Sequence, residues 1–385
     1  MKNKIFIRWK ILNLVLILPS LGLAIILGNS GCSPTEETSE AVQSFRNTDY
    51  EIGRGVNISH WLSQSRRRGE ERKNFIKKED IDFIASIGYD HIRIPIDEEQ
   101  MWDSLGNKEP EAFGLLHNGI QWAAENGLRV VVDLHILRSH HFNEDEKPLW
   151  TDPAAQEQFF NCWRDLSEEL SRYPNGLVAY ELMNEPVADD PEEWNVLVEK
   201  SLAVVRENEP ERKVVIGSNR WQSVDTFDDL RIPEDDPHII LSFHFYTPFI
   251  VTHYKAGWTG IADYEGSVKY PGLTVEDEDL EGLEGELYER IKNEQKFYTR
   301  DSLEALMAPP IKKAAQYGLP LYCGEWGALP TIDEESRMNW YRDMRFILEK
   351  NGIAWANWDY KGGFGIVDRD VNEPFDELIK ILVGD

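Results

Sequence analysis

The chain has 385 residues, enough for one large domain or two ordinary ones, and its 41% hydrophobic and 11% aromatic content supplies a sizeable core. Its formal net charge is −28; beyond the first 31 residues, which hold Lys2, Lys4, Arg8 and Lys10 and no acid, the balance is −32 (37 basic against 69 acidic groups). Such a surface repels nucleic acid, anionic lipid headgroups and polyanionic substrates, which favours a neutral polymer or a small neutral ligand, although the same charge also serves solubility or salt tolerance.

At the amino terminus, basic residues up to Lys10 precede an apolar run from Ile11 to Leu27 and then Gly28-Asn29-Ser30-Gly31-Cys32-Ser33. A basic region, an apolar region and a small-residue junction read as a secretory signal. At about 17 residues the apolar run is at the lower limit of a membrane span. The segment resembles a bacterial lipoprotein signal, which implies cleavage before Cys32, lipid on the Cys32 sulfur, and an exported protein held on a membrane of the cell envelope; Asn29 departs from the usual aliphatic residue. Residues 33–48 are polar and acidic, like a tether. The expected organisation is therefore a signal peptide over 1–31, a tether over 32–48 and a folded domain over 49–385. Cys162 and Cys323 lie in a helical and a strand pattern, so they read as buried free thiols, and their spacing matches no metal site.

From about residue 50, short apolar runs alternate with longer amphipathic stretches, as in βα units around a parallel sheet. Strands are expected over 53–58, 89–95, 128–135, 177–183, 213–217, 238–246, 319–325 and 353–358. Most are near-continuous Val, Ile, Leu or Tyr, the pattern of strands buried on both faces. Helical patterns lie between them, and Gly127, Gly318 and Gly352 fall where C-terminal helix caps belong. Eight such units fit a (β/α)8 TIM barrel; a doubly wound sheet fits less well because no Gly-rich phosphate loop follows the first strand. One connection, 247–300, is far longer than the others and follows a strand's C-terminal end, which places it over the functional face. It includes His253, Tyr254, Trp258, Tyr264 and Tyr270 and then the acidic run 276–286.

Polar residues collect at the expected strand ends: Arg93, His135, Asn184, Glu185, His244, Tyr246, Glu325 and Trp358. A barrel interior takes aliphatic side chains, and catalytic groups of such barrels come from these ends. One of them alone is more often a salt-bridged loop acid or a satisfied core histidine, but eight on six strands are hard to produce by structural need. Two carboxylates suit retaining glycoside hydrolysis, in which one acid protonates the leaving oxygen, one carboxylate attacks the anomeric carbon, and the two carboxyls stand about 5–5.5 Å apart. Glu185 is then the general acid and base. Glu325 is the nucleophile, kept ionised by two charge-assisted hydrogen bonds from Arg93 and one from Tyr246. Asn184 offers an amide to the sugar 2-hydroxyl, His135 and His244 bond sugar hydroxyls or the acid pair, and Trp358 presents a flat face to a pyranose ring.

The chain resembles glycoside hydrolase family 5, the cellulase family of retaining (β/α)8 glycosidases. The carriers are Gly55-Val56-Asn57, Arg93-Ile94-Pro95, Asp133-Leu134-His135, Asn184-Glu185-Pro186, His244-Phe245-Tyr246, Gly324-Glu325-Trp326-Gly327 and Trp358, spanning residues 50–382. The family's pattern of Arg, His, Asn-Glu, His, Tyr, Glu and Trp is filled in order, so the resemblance implies an active enzyme that needs no metal or other cofactor.

Substrate choice belongs to the loops. Trp61, Trp150, Trp221, Trp258 and Trp326 fall after strand candidates, where aromatic faces stack on sugars or simply pack in the core; Trp194 and Trp340 read as helix packing. Arg138, His140, His141, Asn219, Arg220 and Lys361 are candidate donors to hydroxyls, and the adjacent pair His140-His141 lacks the companions a metal needs. The resemblance favours endo-hydrolysis of β-1,4-glucan, with β-1,4-mannan, xyloglucan and β-1,3-glucan as alternative substrates. A surface lipoprotein that binds glycan without cutting it is the reading from another class, and the paired Glu185 and Glu325 speak against it.

Overall fold

The computed structural model describes residues 39–384. Its strands are β1 Arg54–Asn57, β2 His91–Asp97, β3 Arg129–Ile136, β4 Val178–Glu181, β5 Val214–Gly217, β6 Ile239–Phe245, β7 Gly272–Leu273, β8 Phe297–Tyr298, β9 Leu321–Trp326 and β10 Ala354–Asn357. Eight of them close into a parallel barrel in the order β1-β10-β9-β6-β5-β4-β3-β2, while β7 and β8 form a separate antiparallel pair. All eight expected strands are present, so the (β/α)8 barrel stands. Closure leaves no barrel edge unpaired.

The apolar runs exist because both strand faces are covered. Val130, Val132 and Leu134 of β3 face the helical shell, whereas Val131 joins Ala179, Val215, Ile240, Tyr322 and Ala356 in a separate cluster inside the barrel. Tyr50 completes that inner cluster, and its hydroxyl donates to the Val130 carbonyl at 3.0 Å. Side chains alternate along a strand, so two residues further on come Asp133, Glu181, Ser242 and Gly324, also pointing inward. The interior thus turns from apolar to polar toward the C-terminal strand ends.

The shell helices begin on repeated signals. Glu109-Pro110, Asp152-Pro153 and Asp190-Pro191 each set an acidic N-cap before a proline in the first turn, and each cap side chain accepts backbone N–H groups of the helix it starts. Gly127, Gly318 and Gly352 have φ of 73°, 64° and 65° after their helices, the left-handed geometry expected of them. No helix among the described residues is long and apolar enough to cross a membrane.

One expectation changes. The tether was expected to reach residue 48, but a short helix at Glu40–Gln43 is docked, with Val42 and Phe45 buried and Ser39 hydrogen-bonded to Gln121. Two apolar residues in a polar stretch suffice to fold it down. The signal peptide and Cys32 lie outside the described residues. The 247–300 connection is an ordered annex containing helices Phe249–Thr252 and Gly285–Glu294 and the β7–β8 pair. It is fastened to the helix Glu334–Lys350: Trp340 donates to the Thr247 carbonyl at 2.9 Å, and Tyr270 donates to Asp343 at 2.8 Å.

Candidate active site

Arg93, inward-facing on β2 and fully buried, is the centre of the polar layer. Its Nε and Nη2 donate to the two oxygens of Glu181 at 2.7 and 3.1 Å. Nη1 donates to Asn57 Oδ1 at 2.9 Å and to Glu325 Oε1 at 2.8 Å, and Nη2 also reaches Asn184 Oδ1 at 2.9 Å and Asp133 at 3.0 Å. Glu325 therefore receives one hydrogen bond from Arg93 rather than the expected two, because Glu181 takes the bidentate face. Burial alone would lower the guanidinium's pKa, but Asp133, Glu181 and Glu325 outweigh it and push it up.

Tyr246 donates to the other oxygen of Glu325, Oε2, at 3.0 Å. Glu185 lies four residues beyond the end of β4, with φ of 45°, and its Oε1 pairs with His244 Nδ1 at 3.0 Å. The same histidine nitrogen is 3.7 Å from Glu325 Oε2. Single ligand atoms from Glu185, His244 and Glu325 all lie within 4.8 Å of one another. Among the described residues this is the group with the geometry to hold a cation, although its atoms already serve the acid pair.

Burial raises both carboxyls. Glu185 rises well above the carboxylate range, with the Glu325 charge adding to burial. Glu325 rises less, because the Arg93 charge and the Tyr246 hydrogen bond pull it back. The two identical side chains are thus held apart, Glu185 favouring its protonated form more strongly than Glu325. Burial keeps His135, lowered to about 3, and His244, also lowered, uncharged at neutral pH.

His135 Nδ1 pairs with Asp133 at 2.7 Å, and its ring lies parallel to Trp358, centroids 5.6 Å apart and planes at 4°. Asn184 Nδ2, His135 Nε2 and His244 Nε2 are buried and have no protein hydrogen-bond partner. Such atoms are rare in folded proteins. Those of Asn184 and His135 suit a ligand rich in hydroxyl groups, whereas His244 Nε2 lies on the ring edge away from the acid pair, beside Gly324.

All eight strand-end residues meet here, but several outlying candidates do not. Trp326 is fully buried against Trp340, Tyr341 and Trp355, so it is core and not a sugar platform. Trp61 is likewise buried, stacked on Trp122, with its indole N–H donating to the Arg72 carbonyl. Lys361 is held in a buried ion pair with Asp80 instead of facing a ligand. Arg138 pairs with Glu98 at 2.8 Å. His141 packs on Phe142 and accepts from the Asn143 amide. Trp221 and Trp258 keep 44% and 63% of their surface exposed and remain available to a ligand. Trp258 meets His253 edge-on, and His253 meets Tyr246, so its ring continues an aromatic wall outward from Glu325. The supporting roles of Asn57, Asp133 and Glu181 were missed; the signal was an acid or amide inside an otherwise apolar strand.

The profile of cellulase, glycosyl hydrolase family 5, matches residues 49–363. The chain belongs to this family. It is 33% identical to endoglucanase C of Acetivibrio thermocellus over 346 residues, covering 85% of this chain and 97% of that protein. It is 29% identical to cellodextrinase A of Ruminococcus flavefaciens, covering 79% of this chain and 84% of that one. Among solved structures, Cel5A of Thermotoga maritima in complex with mannotriose superposes with a TM-score of 0.69 at 25% identity, covering 86% of this chain and 97% of that one. The same enzyme has also been solved with cellobiose. Family 5 membership makes the chain a glycoside hydrolase on a TIM barrel.

Proposed function

We propose that the chain is an endo-acting, retaining β-1,4-glucanase. The observation that carries this is the acid pair: oxygens of Glu185 and Glu325 lie within 4.8 Å, the close spacing of retaining enzymes rather than the wider gap of inverting ones. Glu185 gives its proton to the glycosidic oxygen while Glu325 attacks the anomeric carbon, and a glycosyl ester forms on Glu325. Glu185, now a carboxylate, takes a proton from water, which attacks the ester and restores both groups. Asn184 Nδ2 donates to the 2-hydroxyl, the contact that strengthens most in the transition state. Trp358 lies under the reacting ring, and Trp221 and Trp258 extend the aromatic surface for neighbouring sugars. The named endoglucanase and cellodextrinase relatives support glucan as substrate.

Carboxymethylcellulose should lose viscosity faster than reducing ends accumulate, with Glu325→Ala inactive. If neither carboxymethylcellulose nor barley glucan is cleaved by wild type, the glucanase reading fails. Galactomannan and xyloglucan belong in the same screen, because the Cel5A structure with mannotriose gives mannan a specific claim.

We also propose that the enzyme is exported and attached to a membrane of the cell envelope through lipid on Cys32, on the strength of the basic, apolar and small-residue order of residues 2–33. Cys32→Ala should move activity from the membrane fraction to the soluble one, and unchanged fractionation would refute the anchor.

A further inference from the structure

The loop bearing Glu185 is fastened residue by residue to the turn after β5. The Glu185 amide N–H donates to Gln222 Oε1 at 3.1 Å, and the Trp221 amide donates to the Pro186 carbonyl at 3.2 Å. Ala188 and Asn219 exchange two hydrogen bonds at 2.8 and 2.9 Å, and Arg220 pairs with Asp189 at 3.3 Å. Four positions of one loop thus meet four of the other.

The clamp is built from costly backbone. Arg220, Trp221 and Gln222 have φ of 54°, 62° and 52°, and Glu185 has 45°. Each left-handed non-glycine residue costs on the order of 1–3 kcal/mol and persists only where its surroundings impose it. Gly217 leaves the room: a Cβ there would stand 2.3 Å from Gln222 Nε2.

Gln222 is fully buried, and its two ends face different partners. Oε1 accepts from the Glu185 amide, and Nε2 donates to Glu181 Oε1 at 3.2 Å. The orientation is unambiguous, because a backbone N–H can only donate and a carboxylate paired with arginine can only accept. A continuous chain results: Glu185 backbone, Gln222 amide, Glu181, Arg93, Glu325.

We propose that Gln222 is a positioning residue for the proton donor, its amide tying the Glu185 backbone to the Glu181–Arg93 pair and so setting the Glu185 carboxyl in register with the Glu325 carboxylate. This rests on Glu185 acting as acid and base, as argued above, and adds a residue that touches neither substrate nor the reacting atoms.

The test compares Gln222→Met, which keeps length and removes both polar ends, with Gln222→Glu, which keeps the acceptor. Two substrates separate proton donation from everything else. Cellotetraose needs its leaving oxygen protonated, whereas the phenolate of 2,4-dinitrophenyl β-cellobioside leaves unaided. Gln222→Met should cut kcat on cellotetraose by about 10- to 100-fold, the scale of a misplaced catalytic group, with KM little changed. It should leave kcat/KM on the dinitrophenyl substrate nearly intact, and Gln222→Glu should recover part of the cellotetraose loss. An equal loss on both substrates by both variants, or no loss on either, overturns the proposal. Wild type inactive on both substrates would instead overturn the glucanase reading.

Discussion

The Tyr246 hydroxyl donates to Glu325 Oε2 at 3.0 Å and steadies the carboxylate without a charge of its own. Arg93 holds the other oxygen by charge but is shared among three carboxylates. Removing the hydroxyl in Tyr246→Phe deletes a hydrogen bond to a charged group, worth about 1.5–3 kcal/mol. The Glu325 carboxyl should then titrate about one to two pH units higher, moving the acidic limb of kcat/KM upward by that amount. An unmoved acidic limb would show that the tyrosine does not tune Glu325.

The pH profile of the wild type should be bell-shaped and displaced upward. Activity requires Glu325 ionised and Glu185 protonated. The acidic limb therefore follows Glu325, raised by burial, and the basic limb follows Glu185, raised further by burial and by Glu325. Both limbs should lie above the ordinary glutamate value of about 4.3. Initial rates on cellotetraose from pH 4 to 10 test this, and a maximum below pH 4.5 would contradict the electrostatics described.

Asp97 gives a stability prediction of defined sign. Burial raises its carboxyl from 3.8 to about 7. A raised folded-state pKa favours the folded form at low pH, and that contribution is lost as pH rises from about 4 through 7. Asp97→Asn should flatten the fall in unfolding midpoint between pH 5 and pH 8. The slope removed should approach about 1.4 kcal/mol per pH unit at most. Thermal melts of both proteins at the two pH values decide it.

One tryptophan and one lysine separate core from cleft. Trp326→Ala removes a fully buried indole and should cost about 3–5 kcal/mol of stability. Lys361→Met leaves Asp80 with only the Tyr360 hydroxyl as side-chain partner and should cost about 3 kcal/mol, the scale of a broken buried ion pair. KM for cellotetraose should be unchanged in Lys361→Met. A raised KM at wild-type stability would return the lysine to the substrate.

The barrel was legible because strands covered on both faces must be nearly continuous in apolar residues. The eight site residues stood out because each interrupts such a run or ends it. A register shift explains what went wrong with Trp326: Gly324 is an extra residue between the β6 pairings of Cys323 and Glu325, so Glu325 turns into the cleft and Trp326 into the helical shell. Lys361 misled because its partner Asp80 is 281 positions away. Gln222 carried no signal at all, since its role depends on three left-handed residues that no periodicity announces. Val42 and Phe45 were too few to register as a folded segment.

Tyr50 deep in the barrel has a consequence for how the enzyme meets its polymer. The residues leading into it lie at the N-terminal strand ends: Asp49 accepts a hydrogen bond from Arg129 at the start of β3, and a Cβ on Gly176, just before β4, would strike the Thr48 carbonyl. The acid pair sits at the opposite mouth. The chain from Thr48 to Tyr50 therefore enters the barrel at the mouth opposite the acid pair and leaves the mouth that takes the polymer clear.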